Sequence, residues 1–244
     1  MRDSTGSAYP TALRPTGLHD LRTGPAPEQI VYGASDLVVL AGLPGAGKST
    51  LMARCARART IDSQHVRERF QLRLPWWVPY PVIRPLVRIT HYLRLYAALR
   101  ARGPLVVHDC GTVPLVRTWL AATARRQGRD VHLLFIDART DEARAGQQAR
   151  SRCVPPRDFA RHCAVARRTL DALAAAAAPP PGWKSAVVLD RPAAGRLRDL
   201  SFAAEPGLGI RSAARPGPPV PPVPPGPRQS PDGTRRTPHP HGTI

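Results

Sequence analysis

Lysine is almost missing from this chain: of its 36 basic residues, all but Lys48 and Lys184 are arginine. A chance lysine in a turn is therefore a weak explanation for Lys48. Acidic residues are also scarce, 17 in all, which leaves a formal net charge of +19. The excess is no basic tail, because residues 34–204 alone hold 28 basic and 12 acidic side chains. Nucleic-acid contact stays open but is not favoured. Arginine, alanine and proline enrichment runs through the whole chain as a compositional bias, and sites for polyanionic nucleotides also use arginine. Cysteine is sparse: Cys55, Cys110, Cys153 and Cys163 form no C-x-x-C pair and no metal-ligand spacing. They read as reduced thiols, and the expected location is cytoplasmic. No stretch approaches the ~20 apolar residues of a membrane span. The first residues, with Asp3, Pro10 and Pro15, lack the basic start and apolar core of a signal peptide.

What is present begins with "DLVVLAGLPGAGKSTLMARC", Asp36 to Cys55. Leu37–Ala41 is a short, continuous, β-branched run, as in a parallel strand buried on both faces. Gly42, Leu43, Pro44, Gly45, Ala46, Gly47, Lys48, Ser49 and Thr50 follow, with the Gly-x-x-x-x-Gly-Lys-Ser spacing of a Walker A loop. Glycines let the main chain approach a ligand, and amide hydrogens together with a helix start make an anion nest. The phosphate chain of a nucleotide is the expected ligand. Lys48 would reach its β- and γ-phosphates, and the Ser49 hydroxyl would hold Mg2+.

Strand-like and helix-like segments then alternate. A helix is expected over about Ser49–Arg59, a strand at Thr60–Asp62 and a helix over Val66–Leu72. Leu74–Pro85 is too rich in proline for regular structure; a helix over about Leu86–Ala101 follows. Strands are expected at Pro104–Thr112, Val131–Ala138 and Ser185–Asp190, with helices at Val113–Gln127, Asp141–Arg150 and Asp158–Ala178. That alternation implies an α/β fold, a doubly wound parallel sheet with ligands at the carboxyl ends of the strands. Gly42–Ser49, Asp62, Asp109 and Asp137 all fall at such ends. Residues 1–33 carry no period and are expected to be mostly disordered, ahead of an ATP-binding domain at 34–204. Residues 205–244 are a proline-rich tail, extended and solvated. Its PxxP spacing at Pro218, Pro221, Pro224 and Pro227 fits an SH3-type domain, though a plain flexible tail is the favoured reading.

The Walker A strand, "TIDSQHVRERF", "VVHDCGT" and "DEARAGQQARSRCVPP" occur in an order that resembles small P-loop kinases. These are the polynucleotide kinase, zeta toxin and gluconate kinase type, AAA-like ATP-binding proteins, and the resemblance covers about Asp36–Arg191. It implies a nucleoside-kinase-like P-loop three-layer sandwich with disordered termini, and phosphoryl transfer to a hydroxyl acceptor. By the resemblance an acid after the second strand serves as base and an arginine one turn later holds the acceptor. Arg67 fits the arginine, but the position expected for the acid is Gln64, so Asp62 takes the role or the base is missing. Asp62 also suits a helix N-cap. Asp109 matches the strand-end carboxylate that supports Mg2+ or the acceptor, and His108 before it faces the other way, as a core histidine or one that backs the site. Arg150 and Arg152 match the lid arginines, whose planar forks answer charge on the transferred group. Arg144 suits a solvated helix face equally well. Arg191, after the last strand, falls where related kinases touch adenine.

Trp76, Trp77 and Tyr80, set between prolines with arginines beyond, suit an acceptor pocket, a membrane surface or a packed hydrophobic flap. Two rivals to a kinase of a small-molecule or nucleotide acceptor remain: an ATP-hydrolysing switch without an acceptor, and a 5′-hydroxyl nucleic-acid kinase. No N-K-x-D-like segment reads guanine.

Overall fold

The computed structural model describes residues 11–56, 58–61, 80–101, 103–108, 114–150 and 153–203. All of them belong to one compact unit, Met1–Leu208. A six-stranded, wholly parallel sheet is its centre. In chain order its strands are β2 (Gly17–Asp20), β4 (Leu37–Gly42), β5 (Arg59–Ile61), β6 (Leu105–His108), β7 (Val131–Asp137) and β8 (Ser185–Asp190), arranged β2-β8-β7-β4-β6-β5. Strand β4 is therefore central, in register with β6 through Leu37↔Leu105 and with β7 through Gly42↔Ile136. Every residue of β4 and β6 is buried, as the β-branched, two-face-apolar sequence demands.

Alternation along β4 sends Val38 and Leu40 to one face, Leu37, Val39 and Ala41 to the other. The second face is covered by α2 (Tyr80–Arg100), α3 (Pro114–Arg126) and part of α5 (Pro156–Ala176), through Leu95, Leu99, Leu120 and Leu173. The first is covered by α1 (Lys48–Cys55), by α6 (Arg191–Arg196) and by a three-stranded parallel sheet. That smaller sheet runs β1-β3-β9, made of Ala12–Leu13, Gln29–Gly33 and Asp199–Ala203. Helix α4 (Thr140–Gln148) lies between β7 and α5 in the chain.

Three expectations are corrected here. Residues 11–33 are not disordered: they form β1, β2 and β3, so the ordered unit starts well before residue 34. Leu21, Ile30 and Tyr32 are fully buried in its core, and β2 and β3 pair with β8 and β9 near the far end of the unit. Burial by distant partners, not local pattern, orders this segment. Residues 80–85 lie in α2 and not in irregular chain. Pro81 occupies the first turn, where its missing N–H would have no partner, and only Pro85 removes an interior bond. Helix α1 ends at Cys55 and not near Arg59, because Arg59 begins β5. The expected strands at 60–62 and 104–112 appear as Arg59–Ile61 and Leu105–His108, while the helix over 66–72 and the tail at 205–244 lie outside the described residues. Helix α6 and β9 answer to no expectation from the sequence.

Two buried polar clusters pin the amino ends of the strands. The His132 ring lies 2.7 Å from Ser185 Oγ and 3.0 Å from Asp36 Oδ2, bridging β7, β8 and the start of β4. Tyr32 of the small sheet meets His132 at a tilt of 56°, with ring centroids 4.7 Å apart. Burial works against the Asp36 anion, yet His132 and the Gly33 N–H more than offset it and hold the carboxyl below its usual range. This Ser–His–Asp chain is architecture and not a hydrolase triad, since Ser185 is wholly inaccessible. Arg129, also buried, donates to the carbonyls of Ser35, Leu99 and Gly103 at 2.6, 3.1 and 2.8 Å. It ties the end of α2 to the turn before β4.

Candidate nucleotide site

The loop between β4 and α1 owes its path to three glycines. Gly42, Gly45 and Gly47 take φ of 138°, 89° and 100°, which side chains with a Cβ rarely adopt. At two of them space forbids a side chain as well. A Cβ on Gly42 would lie 2.4 Å from the Ile136 carbonyl oxygen, and one on Gly45 2.0 Å from that of Ala143. The loop is thus pressed against β7 on one side and α4 on the other. Around Gly47 there is open space, and it stands as the N-cap of α1 with no side-chain cap.

Lys48, the first residue of α1, is buried. Its Nζ curls back along the loop and donates to the carbonyls of Gly42 at 2.9 Å and Leu43 at 2.8 Å. A lysine so placed can be exchanged between backbone carbonyls and a phosphate chain lying along the same loop. Ser49 and Thr50 follow in the first turn. Thr50 Oγ1 accepts a hydrogen bond from Arg150 Nη2, so an arginine from beyond α4 reaches the helix start. Of the residues singled out in the sequence, the structure therefore brings together Gly42–Thr50 and Arg150.

Arg191 opens α6 behind Asp190, whose Oδ1 caps that helix by accepting the Ala193 N–H at 2.7 Å. Its Nη1 donates to the Glu142 carbonyl of α4 at 3.1 Å. His108 is buried at the end of β6. Arg144 is not simply solvated: its guanidinium sits 5.4 Å over the Phe159 ring. Asp62, Gln64, Arg67, Trp76, Trp77, Asp109 and Arg152 lie outside the described residues, as does the side chain of Tyr80. Among the described residues no three metal-ligating side chains gather, and no helix is long and apolar enough to cross a membrane.

Sequence reasoning missed two features. Arg22, in the segment expected to be disordered, reaches Asp137 at 2.8 Å and grips Asp20 through Nε and Nη2. The Asp20 hydrogen bond, with that to Asp137 behind it, raises the guanidinium's pKa, and the same contact holds Asp20 below the usual carboxylate range. Arg22 and Asp137 flank a cleft of about 620 Å³ at the end of β7, lined also by Leu43, Arg139, Arg167 and Asp171. The second is Gln147, buried beneath the loop, whose Nε2 donates to the Pro44 carbonyl at 3.1 Å. Neither carries a local motif. Only the tertiary contacts reveal them.

The family described as AAA domain matches residues 37–180. Among solved structures, a kinase candidate from Chloroflexus aurantiacus is 17% identical, with 65% of this chain and 86% of that chain covered at a TM-score of 0.47. The tunicamycin resistance protein of Deinococcus radiodurans is 17% identical, covering 60% of this chain and 99% of that one, TM-score 0.37. The APS kinase of Mycobacterium tuberculosis, in complex with AMPPNP and APS, is 21% identical over 47% of this chain and 69% of that one, TM-score 0.35. No curated protein sequence is similar enough to count as a match.

Proposed function

The chain belongs to the AAA domain family, matched over residues 37–180, and from that premise we propose that it is an ATP- and Mg2+-dependent phosphotransferase. It moves the γ-phosphoryl of ATP to a hydroxyl of a small-molecule or nucleotide acceptor. The observation that carries this reading is the loop itself: three left-handed glycines at the carboxyl end of a central parallel strand, with Lys48 lying along it. The fit is one of shape and donor set. The loop borders open space at Gly47, and the one buried ammonium at the loop can trade the Gly42 and Leu43 carbonyls for phosphate oxygens.

In this reading Lys48 holds the β- and γ-phosphates and Ser49 contributes its hydroxyl to the metal. Bound Mg2+ would offset charge between the phosphates. Asp62 accepts the acceptor's proton as its oxygen forms the new P–O bond, and the bridging β–γ P–O bond breaks to release ADP. Asp109 supports the metal or the acceptor. Arg150, already beside Thr50, and Arg152 answer the charge spread over the transferred group. Arg191 would serve the nucleoside, and Arg67 with Trp76, Trp77 and Tyr80 would bind the acceptor. A cytoplasmic location and an SH3-type partner for the tail are lesser parts of the same proposal.

The test uses the full chain with Mg2+ and γ-labelled ATP. Label is followed into free phosphate and into sugars, nucleosides, amino-sugar nucleotides and 5′-hydroxyl oligonucleotides, beside Lys48→Ala and Asp62→Ala. Label on one acceptor, lost in both variants, is the expected result. Label reaching water alone, unchanged in Asp62→Ala, would replace the kinase by an ATP-hydrolysing switch. Transfer to oligonucleotides only would make it a nucleic-acid end kinase.

A further inference from the structure

We infer that Gln147 is a positioning residue that couples the phosphate loop to the arginine turn behind α4, an inference that rests on the loop's holding phosphate. The Gln147 amide uses both of its ends. Its Nε2 donates to the Pro44 carbonyl at 3.1 Å, and its Oε1 accepts the Val154 N–H at 2.8 Å. The amide orientation is fixed by its partners, since a carbonyl only accepts and a backbone N–H only donates. The main chain of Gln147 takes part too, because its carbonyl accepts the Arg150 N–H at 3.2 Å. Arg150 in turn reaches Thr50. One buried residue thus touches the loop, the arginine and the chain beyond it.

The contact it sits in is backbone on backbone. A Cβ on Gly146 would stand 2.3 Å from the Gly45 oxygen, so the adjacent glycine lets α4 rest directly against the loop. With no side chain between them to absorb movement, a shift of Gly45 or Pro44 is passed to α4. Gln147 passes it on to Arg150 and Val154. Phosphate settling in the loop is felt by the arginine before any phosphate oxygen touches it. The side chains nearest to it in size do not do both tasks at neutral pH. Glutamate sets a carboxylate oxygen against the Pro44 carbonyl, and leucine has neither donor nor acceptor.

The experiment is amide hydrogen exchange on the full chain, with and without Mg2+ and ADP, for wild type, Gln147→Leu and Gln147→Glu. In wild type the nucleotide slows exchange both at residues 42–50 and at the Val154 amide. In Gln147→Leu the slowing persists in the loop and is lost at Val154, whose amide in the nucleotide complex exchanges on the order of tenfold faster than in wild type, the effect of one lost buried hydrogen bond. Slowing at Val154 equal to wild type would overturn the coupling while leaving the phosphate reading intact. No slowing at 42–50 in wild type would fell the phosphate reading, and the coupling with it. If the leucine variant does not fold, the glutamate variant decides. It keeps the acceptor for Val154, and its coupling returns relative to wild type as the pH is lowered and a protonated carboxyl donates to Pro44. A glutamate variant coupled equally at all pH would overturn the inference. A merely structural glutamine would change ligand-free exchange throughout α4 but not the nucleotide-dependent part.

Discussion

Gly45 and Gly47 sit two residues apart in the same loop, with nearly the same left-handed φ, yet alanine should affect them very differently. At Gly47 the new methyl meets nothing within 4 Å. The cost is backbone strain alone, about 1–3 kcal/mol for a side chain held in that region. At Gly45 the same strain applies, and the methyl lands 2.0 Å from the Ala143 carbonyl oxygen. That atom is backbone in the first half of α4, so it cannot swing aside. Loop and helix must part by more than an ångström, and the Gln147–Pro44 bond goes with them. Overpacking of this kind adds about 1–3 kcal/mol. At about 2–4 °C per kcal/mol for a chain of this size, Gly45→Ala should melt roughly 2–12 °C below Gly47→Ala. Thermal unfolding by circular dichroism measures it. Gly146→Ala makes the same collision from the other side, 2.3 Å from the Gly45 oxygen. Once α4 has been displaced by one methyl the second has less to displace, so the double variant should lose less than the two losses added. Equal melting temperatures for the Gly45 and Gly47 variants, or strict additivity with Gly146→Ala, would mean that α4 does not rest on the loop.

Tyr32→Phe should stabilise the protein by about 1 kcal/mol, because the hydroxyl is buried with no hydrogen-bond partner among the described residues; a urea midpoint that falls would show that it is bonded after all. Arg129→Met should cost about 2–5 kcal/mol by stripping three carbonyls of a charged donor, and an unchanged midpoint would refute the clamp between α2 and the turn before β4. Asp36 has its folded pKa lowered, so its contribution is fully present above the unfolded value of about 3.9 and is lost as the pH falls through the folded value. Asp36→Asn should therefore be less stable than wild type at pH 7, with the gap closing below about pH 4; a gap constant from pH 7 to pH 2.5 would remove the carboxylate from the account.

The central sheet was legible because its signals are local. Leu37–Ala41 and Ser185–Asp190 are apolar runs long enough to declare themselves, and both appear where expected. The loop was legible for the same reason: its glycines are a statement about φ at single residues, and three of them take the positive values that the spacing implies. Residues 11–33 were not legible. β1 has two residues, β2 four and β3 five, too short for a period to show. β1 pairs with β3, and the partners of β2 and β3 are β8 and β9, which lie beyond nearly the whole of the ordered unit. The proline-rich start of α2 misled in the opposite direction, because a helix's first turn does not need the hydrogen bonds that proline removes.

The same distinction separates the loop from its surroundings. Lys48 reaches carbonyls five and six residues away, so its placement is written within one short motif. Arg22 reaches Asp137, and Gln147 reaches Pro44, across 115 and 103 residues. Neither has a local reason to be where it is, and both become meaningful only when the sheet has lined up the ends of β2, β8, β7 and β4. What a P-loop sequence specifies alone is a shape able to take phosphate. What sits under and beside that shape is supplied by the tertiary fold, and it is there that this chain's individual residues, Gln147 above all, act on the loop.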